Sequence, residues 1–274
     1  AHAFLPGITA MLLGFFKHTP TVFGVHGTSI GRNLNSPLKS FLEKLILTKI
    51  HYTAQITVSR DFQKLKNINR KIFYVSNGVN IEAFEKVKAA KFNNPTLIFV
   101  GRLHFEKNLS NLIKAIYKAI EKIPNVKLLI VGSGPEEQAL KRLIVKLKLK
   151  KNVIIVGQKT GQELIKLYKS SNIFILPSTY EGQPLVIFEA WAAKIPVIAT
   201  KTGDIQFLLK ENYNGFFIND PTNTIEIARV IIKALSAKNL VQLGENGFNF
   251  VKDNFTWEKS AAETLEVYKK IIKN

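Results

Sequence analysis

Short apolar runs alternate with longer amphipathic segments along most of the chain. The runs lie at residues 21–25, 55–58, 72–75, 96–100, 127–131, 153–156, 173–176 and 196–199. Runs of this length that alternate with helical periodicity are typical of parallel strands covered by helices on both faces. The pattern therefore predicts an α/β protein.

The first three runs and the last five form separate groups. Between them, residues 85–95 (EKVKAAKFNNP) are polar and end in proline, as linkers do. We therefore expect a partial first domain over residues 1–86, a second domain over 87–255, and a C-terminal helix over 256–274 that packs back toward the first domain. One stripe of that helix carries Ala261, Leu265, Tyr268 and Ile272.

The chain is strongly basic, with 39 Lys and Arg against 20 Asp and Glu and a formal net charge of +19. Either the coding sequence favours Lys, Ile and Asn, or a basic face attracts nucleotide diphosphates or anionic lipid headgroups. The lysines are spread along the chain, which argues against a nucleic-acid-binding protein. The chain has no cysteine, which excludes a disulfide framework, a thiolate metal site and a cysteine nucleophile, and favours the cytoplasm.

Residues 3–16 are apolar, but Pro6 and Gly7 interrupt them. The run is shorter than the roughly 20 residues that span a bilayer, and it lacks the features of a signal peptide. We expect a buried helix here. Because the sequence starts without Met, we also expect it to be a fragment.

Two cations follow the strand at residues 96–100. Arg102 and Lys107 lie between this strand and an amphipathic helix that starts near Leu109. The planar fork of Arg and the point charge of Lys together suit a diphosphate. The alternative is a pair of solvated loop cations.

A second polar segment, STYEGQP at residues 178–184, leads from a strand into the apolar helix LVIFEAWAA. Pro184 fits the first helical position, which leaves neighbouring backbone N–H groups free to bind an anion. Glu189 lies inside that apolar helix and needs a hydrogen-bond partner, either a vicinal diol such as a ribose or a structural bond to backbone or lysine. Glu181 is either an acceptor for sugar hydroxyls or an ordinary loop carboxylate.

The motifs VGRLxxxKN, GSGPE and PSTYEGQPLVIFEAWAAKIPVIAT resemble the retaining glycosyltransferases of family 4 and its relatives (glycosyl transferases group 1). This large family includes bacterial mannosyl- and glucosyltransferases and sucrose and glycogen synthases. The resemblance extends from AHAFLPG through VHGTS and VSNGVN to FTWEKSA. It implies the GT-B fold, two Rossmann-like domains facing a cleft, with the first domain incomplete. It also implies a hexosyltransferase that moves a sugar from a nucleoside-diphosphate sugar to a saccharide or lipid-linked acceptor, in polysaccharide or glycolipid synthesis.

The resemblance assigns roles to individual residues. Arg102 and Lys107 would bind the donor diphosphate and Glu189 the ribose, while Glu181 would lie by the donor sugar. His26, in VHGTS, resembles a cleft histidine near that sugar; a single His beside Gly is otherwise a structural residue. The residues whose backbone would contact the donor are Gly182, Gln183, Pro184 and Leu185.

No cofactor or metal is implied, and the sequence has no clustered Asp-x-Asp or His ligands. Two other functions fit the pattern: a noncatalytic module that binds sugar nucleotides, and a UDP-sugar epimerase of similar fold. The spacing of Glu181 and Glu189, the family's E-x7-E motif, argues against the epimerase.

Two features depart from the family pattern. Asp204 and Phe207, in TGDIQFLL, stand where the family usually has a glycine and a glutamate, and no glycine-rich loop precedes Ala1. The first departure weakens the match around Gly203. The second puts catalysis by the chain as it stands in question.

Residues 38–49 (LKSFLEKLILTK) place apolar residues at helical spacing beside Lys39, Lys44 and Lys49. A basic amphipathic helix of this kind either binds an anionic membrane peripherally, at its cytoplasmic face, or packs on a core.

Overall fold

The computed structural model describes residues 9, 16, 19–25, 37–63 and 66–272. The chain divides into two compact units, Ala1–Gly78 with Trp257–Asn274, and Val79–Thr256. The boundary after Gly78 lies earlier than the expected domain end at residue 86. The apolar segment at residues 3–16 lies almost wholly outside the described residues.

The first unit contains a parallel sheet of strands β1 (Val22–Val25), β2 (Ala54–Thr57) and β3 (Ile72–Tyr74), in that order. Helices α1 (Pro37–Lys49) and α2 (Arg60–Gln63) each connect or follow strands of this sheet. On one side, Leu47 and Phe62 pack with Phe23 and Tyr52, whose rings stack at 4.8 Å.

The C-terminal helix, α11 (Trp257–Ile272), packs on the first unit through Val267 and Ile271, which contact Ala54 and Val75. The stripe singled out in the sequence is not the packing face, because Ala261, Leu265, Tyr268 and Ile272 are exposed. Each helical residue turns the face by roughly 100°. Apolar residues occupy two adjacent faces of this helix, and periodicity alone does not tell which one meets the sheet.

The second unit contains a six-stranded parallel sheet in the order β6-β5-β4-β7-β8-β9. Its strands are β4 (Thr96–Val100), β5 (Lys127–Val131), β6 (Val153–Gly157), β7 (Ile173–Leu176), β8 (Val197–Thr200) and β9 (Gly215–Ile218). The α/β prediction is confirmed, but the sequence interpretation missed β9, a short strand that starts with glycine directly after a polar turn.

Helices cover this sheet. They are α3 (Ile81–Lys86), α4 (Leu109–Ala119), α5 (Glu137–Lys146), α6 (Gly161–Ser170), α7 (Leu185–Ala192), α8 (Ile205–Leu208), α9 (Thr224–Leu235) and α10 (Leu240–Asn254). The central strands β4 and β7 are buried along their whole length, as strands covered on both faces are. None of the described helices is long and apolar enough to cross a bilayer.

The sheet reverses its strand order between β4 and β7, which are neighbours although they are not consecutive in sequence. In open α/β sheets, ligands bind outside the carboxyl ends of the strands at such a switch point. The loops after β4 and β7 are therefore the place to look for chemistry.

Residues 85–95, expected to link two domains, lie within the second unit. Three hydrogen bonds attach them to the end of α6: Lys91 Nζ donates to Ser171 O, Phe92 N to Ser170 O at 2.9 Å, and Lys169 Nζ to Val87 O at 2.7 Å. Polar composition marked this segment as irregular, but its backbone is fixed to a helix of the same unit.

Candidate functional site

The loops after β4 and β7 meet through an ion pair. Lys107, in a 3-10 helix at Phe105–Lys107, places its Nζ 2.6 Å from Oε1 of Glu181. The Glu181 side chain is 8% exposed and that of Lys107 is 23% exposed. A carboxylate this deeply buried requires a charged partner, and Lys107 provides it.

Asn108 ties its own loop to the loops after β7 and β9. Its side-chain Nδ2 donates to Pro177 O at 3.2 Å and to Pro221 O at 2.6 Å. A further hydrogen bond runs from Thr179 N to Glu106 O at 2.9 Å. Asn108 itself adopts the left-handed conformation, with φ 57°, which asparagine tolerates better than most residues. These bonds hold the Lys107 loop at a fixed position against the Glu181 loop.

The loop after β8 contacts the backbone of Glu181 and Gly182. Gly203 has φ 52°, and a Cβ at this position would lie 2.1 Å from the Glu181 carbonyl oxygen. The neighbouring Asp204 donates its backbone N–H to Gly182 O at 2.9 Å. A backbone donor is available from any residue except proline, so the departure from the family pattern at Asp204 leaves this contact intact. Phe207 lies on α8 and is partly exposed.

The segment from Gly182 to Leu185 forms the entrance to helix α7. Pro184 is the residue before the helix, which begins at Leu185. It therefore sits one position earlier than the first helical position predicted from the sequence. Gln183 and Pro184 are buried, whereas Leu185 is exposed. The segment leads the chain from Glu181 directly to the N-terminus of α7, where the helix dipole favours an anion.

A cavity of about 510 Å³ opens at the carboxyl ends of β4, β5 and β6. The residues that line it are Val100, Gly101, Arg102, Val131, Gly132, Ser133, Gly134, Gln158 and Lys159. Arg102 is one of these lining residues. Lys107 and Glu181 are not among its lining residues.

The glycines of GSGPE permit the close approach of two loops beside the cavity. A Cβ at Gly132 would lie 1.9 Å from Gly101 O, and one at Gly134 would lie 2.3 Å from Leu103 O. These positions require glycine for steric reasons. The sequence reading assigned no role to Gln158 and Lys159, although their place directly after a strand could have indicated one.

Glu189 lies in the second turn of α7, and its Oε2 accepts a hydrogen bond of 2.8 Å from the hydroxyl of Tyr168 on α6. Burial raises the pKa of Glu189, and the hydrogen bond from Tyr168 acts against that rise. The partner is a tyrosine rather than the backbone or lysine considered from the sequence. Glu189 is half-buried, and its other oxygen, Oε1, is not used by Tyr168.

The remaining sequence candidate, His26, lies outside the described residues. In the part of the chain that the structure covers, no group of three or more His, Cys, Asp or Glu side chains is arranged to hold a metal ion.

Residues 80–250 match the family described as glycosyl transferases group 1. An uncharacterized glycosyltransferase of Methanocaldococcus jannaschii is 30% identical over 271 residues, which cover 91% of this chain and 69% of that protein. The UDP-Gal:alpha-D-GlcNAc-diphosphoundecaprenol alpha-1,3-galactosyltransferase of Escherichia coli is 32% identical over 201 residues, covering 66% of this chain and 51% of that protein.

Among solved structures, that of Anabaena HepE in complex with UDP has a TM-score of 0.80 at 18% sequence identity. The likeness covers 98% of this chain and 76% of HepE. It confirms the α/β fold of the GT-B type that the sequence motifs implied.

Proposed function

We propose that this chain, which belongs to the glycosyl transferases group 1 family of glycosyltransferases, moves a sugar from a nucleoside-diphosphate sugar to an acceptor. The acceptor is a saccharide or a lipid-linked molecule, and the transfer retains the anomeric configuration. The observation that carries the proposal is the position of Arg102, Lys107 and Glu181 on the loops after β4 and β7, at the switch point of the sheet. The UDP complex of HepE supports a nucleotide donor for this chain too.

The donor diphosphate binds in this proposal to Arg102 and Lys107. The cavity beside Arg102, at about 510 Å³, has a size common among small-molecule sites, which run from roughly 300 to 1,000 Å³. The N-terminus of α7 adds the positive end of a helix dipole. Glu189 accepts from the ribose through Oε1, the oxygen that Tyr168 leaves open.

Transfer breaks the bond between the anomeric carbon and the diphosphate oxygen, so negative charge develops on the leaving oxygen. Arg102, Lys107 and the α7 N-terminus stabilise that charge. The acceptor hydroxyl attacks from the face that the diphosphate leaves, and its proton passes to the leaving phosphate. Glu181 orients the donor sugar by accepting from its hydroxyls. Because side chains supply the positive charge, we propose that no divalent ion is needed.

A lipid-linked acceptor, and with it peripheral attachment to an anionic membrane, is supported by the outer face of α1. Phe41, Leu42 and Leu45 are exposed there beside Lys44 and Lys49. The one carboxylate of the helix, Glu43, is buried. An exposed face that combines apolar and basic side chains suits an anionic bilayer surface. The Escherichia coli relative is named for a diphosphoundecaprenol acceptor.

The test is isothermal titration calorimetry of the chain with UDP, GDP and ADP in the presence of EDTA. We expect one of the three to bind, and Arg102→Ala to weaken that binding by about tenfold or more, as loss of a charge-assisted hydrogen bond does. Arg142→Ala is the matched control, because Arg142 is exposed on α5 and does not line the cavity. If folded protein binds none of the three nucleotides, the donor-site proposal is wrong.

A further inference from the structure

We propose that Tyr168 is a positioning residue for the donor nucleotide: its hydroxyl holds Oε2 of Glu189 so that Oε1 is presented to the ribose. The inference rests on the proposed function, because it needs Glu189 to bind donor. It assigns a role to a side chain on α6 that the sequence motifs leave without one.

The Tyr168 ring has little freedom to move. The residue is fully buried, and its ring lies 6.3 Å from that of Phe84 and 5.9 Å from that of Phe174. Close packing of this kind leaves a buried aromatic ring in one rotamer. The hydroxyl is therefore a fixed donor, and Glu189 takes up the conformation that meets it.

The hydroxyl has one proton and two possible acceptors. Glu189 Oε2 lies at 2.8 Å and Val186 O at 3.5 Å. The shorter contact goes to the carboxylate, which is also the stronger acceptor when it is charged. A free glutamate side chain samples many rotamers, and this single hydrogen bond selects among them.

The electrostatic environment keeps Tyr168 as the hydrogen-bond donor and Glu189 as the acceptor. Burial and the charge of Glu189 raise the pKa of Tyr168 well above its usual value, so the hydroxyl keeps its proton. Burial raises the pKa of Glu189, whereas the bond from Tyr168 lowers it. Tyr168 thus helps to keep Glu189 in the charged form that accepts from a ribose.

Three lysines on or beside the elements packed around α7 have partners of their own. Lys194, just after α7, pairs with Glu245 of α10 at 3.0 Å, and Lys252 of α10 pairs with Glu85 at 3.5 Å. Lys169, next to Tyr168 on α6, donates to Val87 O. Besides burial, the Tyr168 hydroxyl is the group that shifts the Glu189 pKa.

The experiment compares Tyr168→Phe with the wild type, using whichever of UDP, GDP and ADP the wild type binds most tightly and measuring the dissociation constant from pH 4.5 to 8. We expect the variant to bind roughly fivefold more weakly at neutral pH, the effect of one hydrogen bond. As the pH falls, the variant should also lose its affinity at a higher pH than the wild type does, because removal of the Tyr168 bond raises the Glu189 pKa. Tyr117→Phe is the control, since Tyr117 is an exposed tyrosine of the same unit.

The same substitution in the Glu189→Gln variant tests whether Tyr168 acts through Glu189. In Glu189→Gln, adding Tyr168→Phe should change the affinity by less than twofold, because the tyrosine acts through the carboxylate. A Tyr168→Phe variant that melts at lower temperature but keeps the wild-type affinity and acid limb would overturn the inference while leaving the donor site in place. If the wild type binds no nucleotide, the proposed function itself fails.

Discussion

The side-chain nitrogen of Lys107 lies 2.6 Å from a carboxylate oxygen of Glu181, although 74 positions separate the two residues in the chain. The pair exists because β4 and β7 are neighbours in the sheet, so that the loops which follow them meet. Each residue satisfies the charge of the other before any ligand is present. A diphosphate that binds Lys107 therefore competes with Glu181 for the same ammonium group.

The pair predicts different outcomes for its two members. Lys107→Met removes the charge but keeps the length, and leaves the buried Glu181 carboxylate without its cation. We expect it to lower the free energy of unfolding by about 2 kcal/mol and to weaken nucleotide binding. Glu181→Gln should leave nucleotide affinity unchanged or raise it, because the diphosphate loses its competitor for Lys107, while turnover falls because the donor sugar is the target of the carboxylate. Urea unfolding, calorimetry and an assay of sugar transfer measure the three quantities. Equal losses of nucleotide affinity in both variants would contradict the assignment.

Substitutions of Asn108 separate the effect of its side-chain hydrogen bonds from that of its backbone conformation. Asn108→Gly removes the bonds to Pro177 and Pro221 but accepts φ 57° without strain, and we expect a loss of about 1–2 kcal/mol of stability. Asn108→Ala removes the same bonds and adds about 1 kcal/mol of strain, since a Cβ disfavours the left-handed region. Urea unfolding of both variants measures the difference. Equal stability of the two would mean that the backbone relaxes at this position.

The sequence predicted β4, β5 and β7 with the bounds that the structure has, because strands buried on both faces leave an uninterrupted apolar run. The buried face of α11 was not predictable in this way, since apolar residues on two adjacent faces give the same periodicity. The pattern of apolar residues thus identifies a strand that is buried on both faces, but it does not tell which face of an amphipathic helix is buried.

The site shows the same division. Arg102, Lys107 and Glu181 were identifiable as polar residues directly after buried strands. The bond between Tyr168 and Glu189 was not, because α6 and α7 meet only in the packed unit and a tyrosine inside an amphipathic helix gives the same signal as any core residue. The pairing of Lys107 with Glu181 likewise required the strand order, which local sequence does not contain.

Two glycines with nearly the same φ angle give a matched test of the loop that contacts Glu181. Gly203 has φ 52° and Gly161 has φ 55°, but only at Gly203 would a Cβ meet backbone, at 2.1 Å from Glu181 O. We expect Gly161→Ala to cost about 1 kcal/mol through backbone strain alone, and Gly203→Ala about 3 kcal/mol with a clear loss of sugar transfer. Thermal unfolding and activity measurements check both. Similar behaviour of the two variants would show that the contact with Glu181 has no effect on the site.

The exposed face of α1 predicts salt-sensitive binding to anionic vesicles. We expect the chain to sediment with vesicles that contain phosphatidylglycerol and not with pure phosphatidylcholine, and to be released at high salt, because screening weakens the attraction of Lys44 and Lys49 to the surface. The double variant Phe41→Ser and Leu45→Ser should reduce binding by about tenfold or more, since both side chains are exposed and apolar. The matched control is Val145→Ser with Val241→Ser, which removes exposed apolar side chains from the second unit. Binding that falls equally in both variants, or that ignores lipid charge, would leave α1 without a membrane role and favour a soluble acceptor.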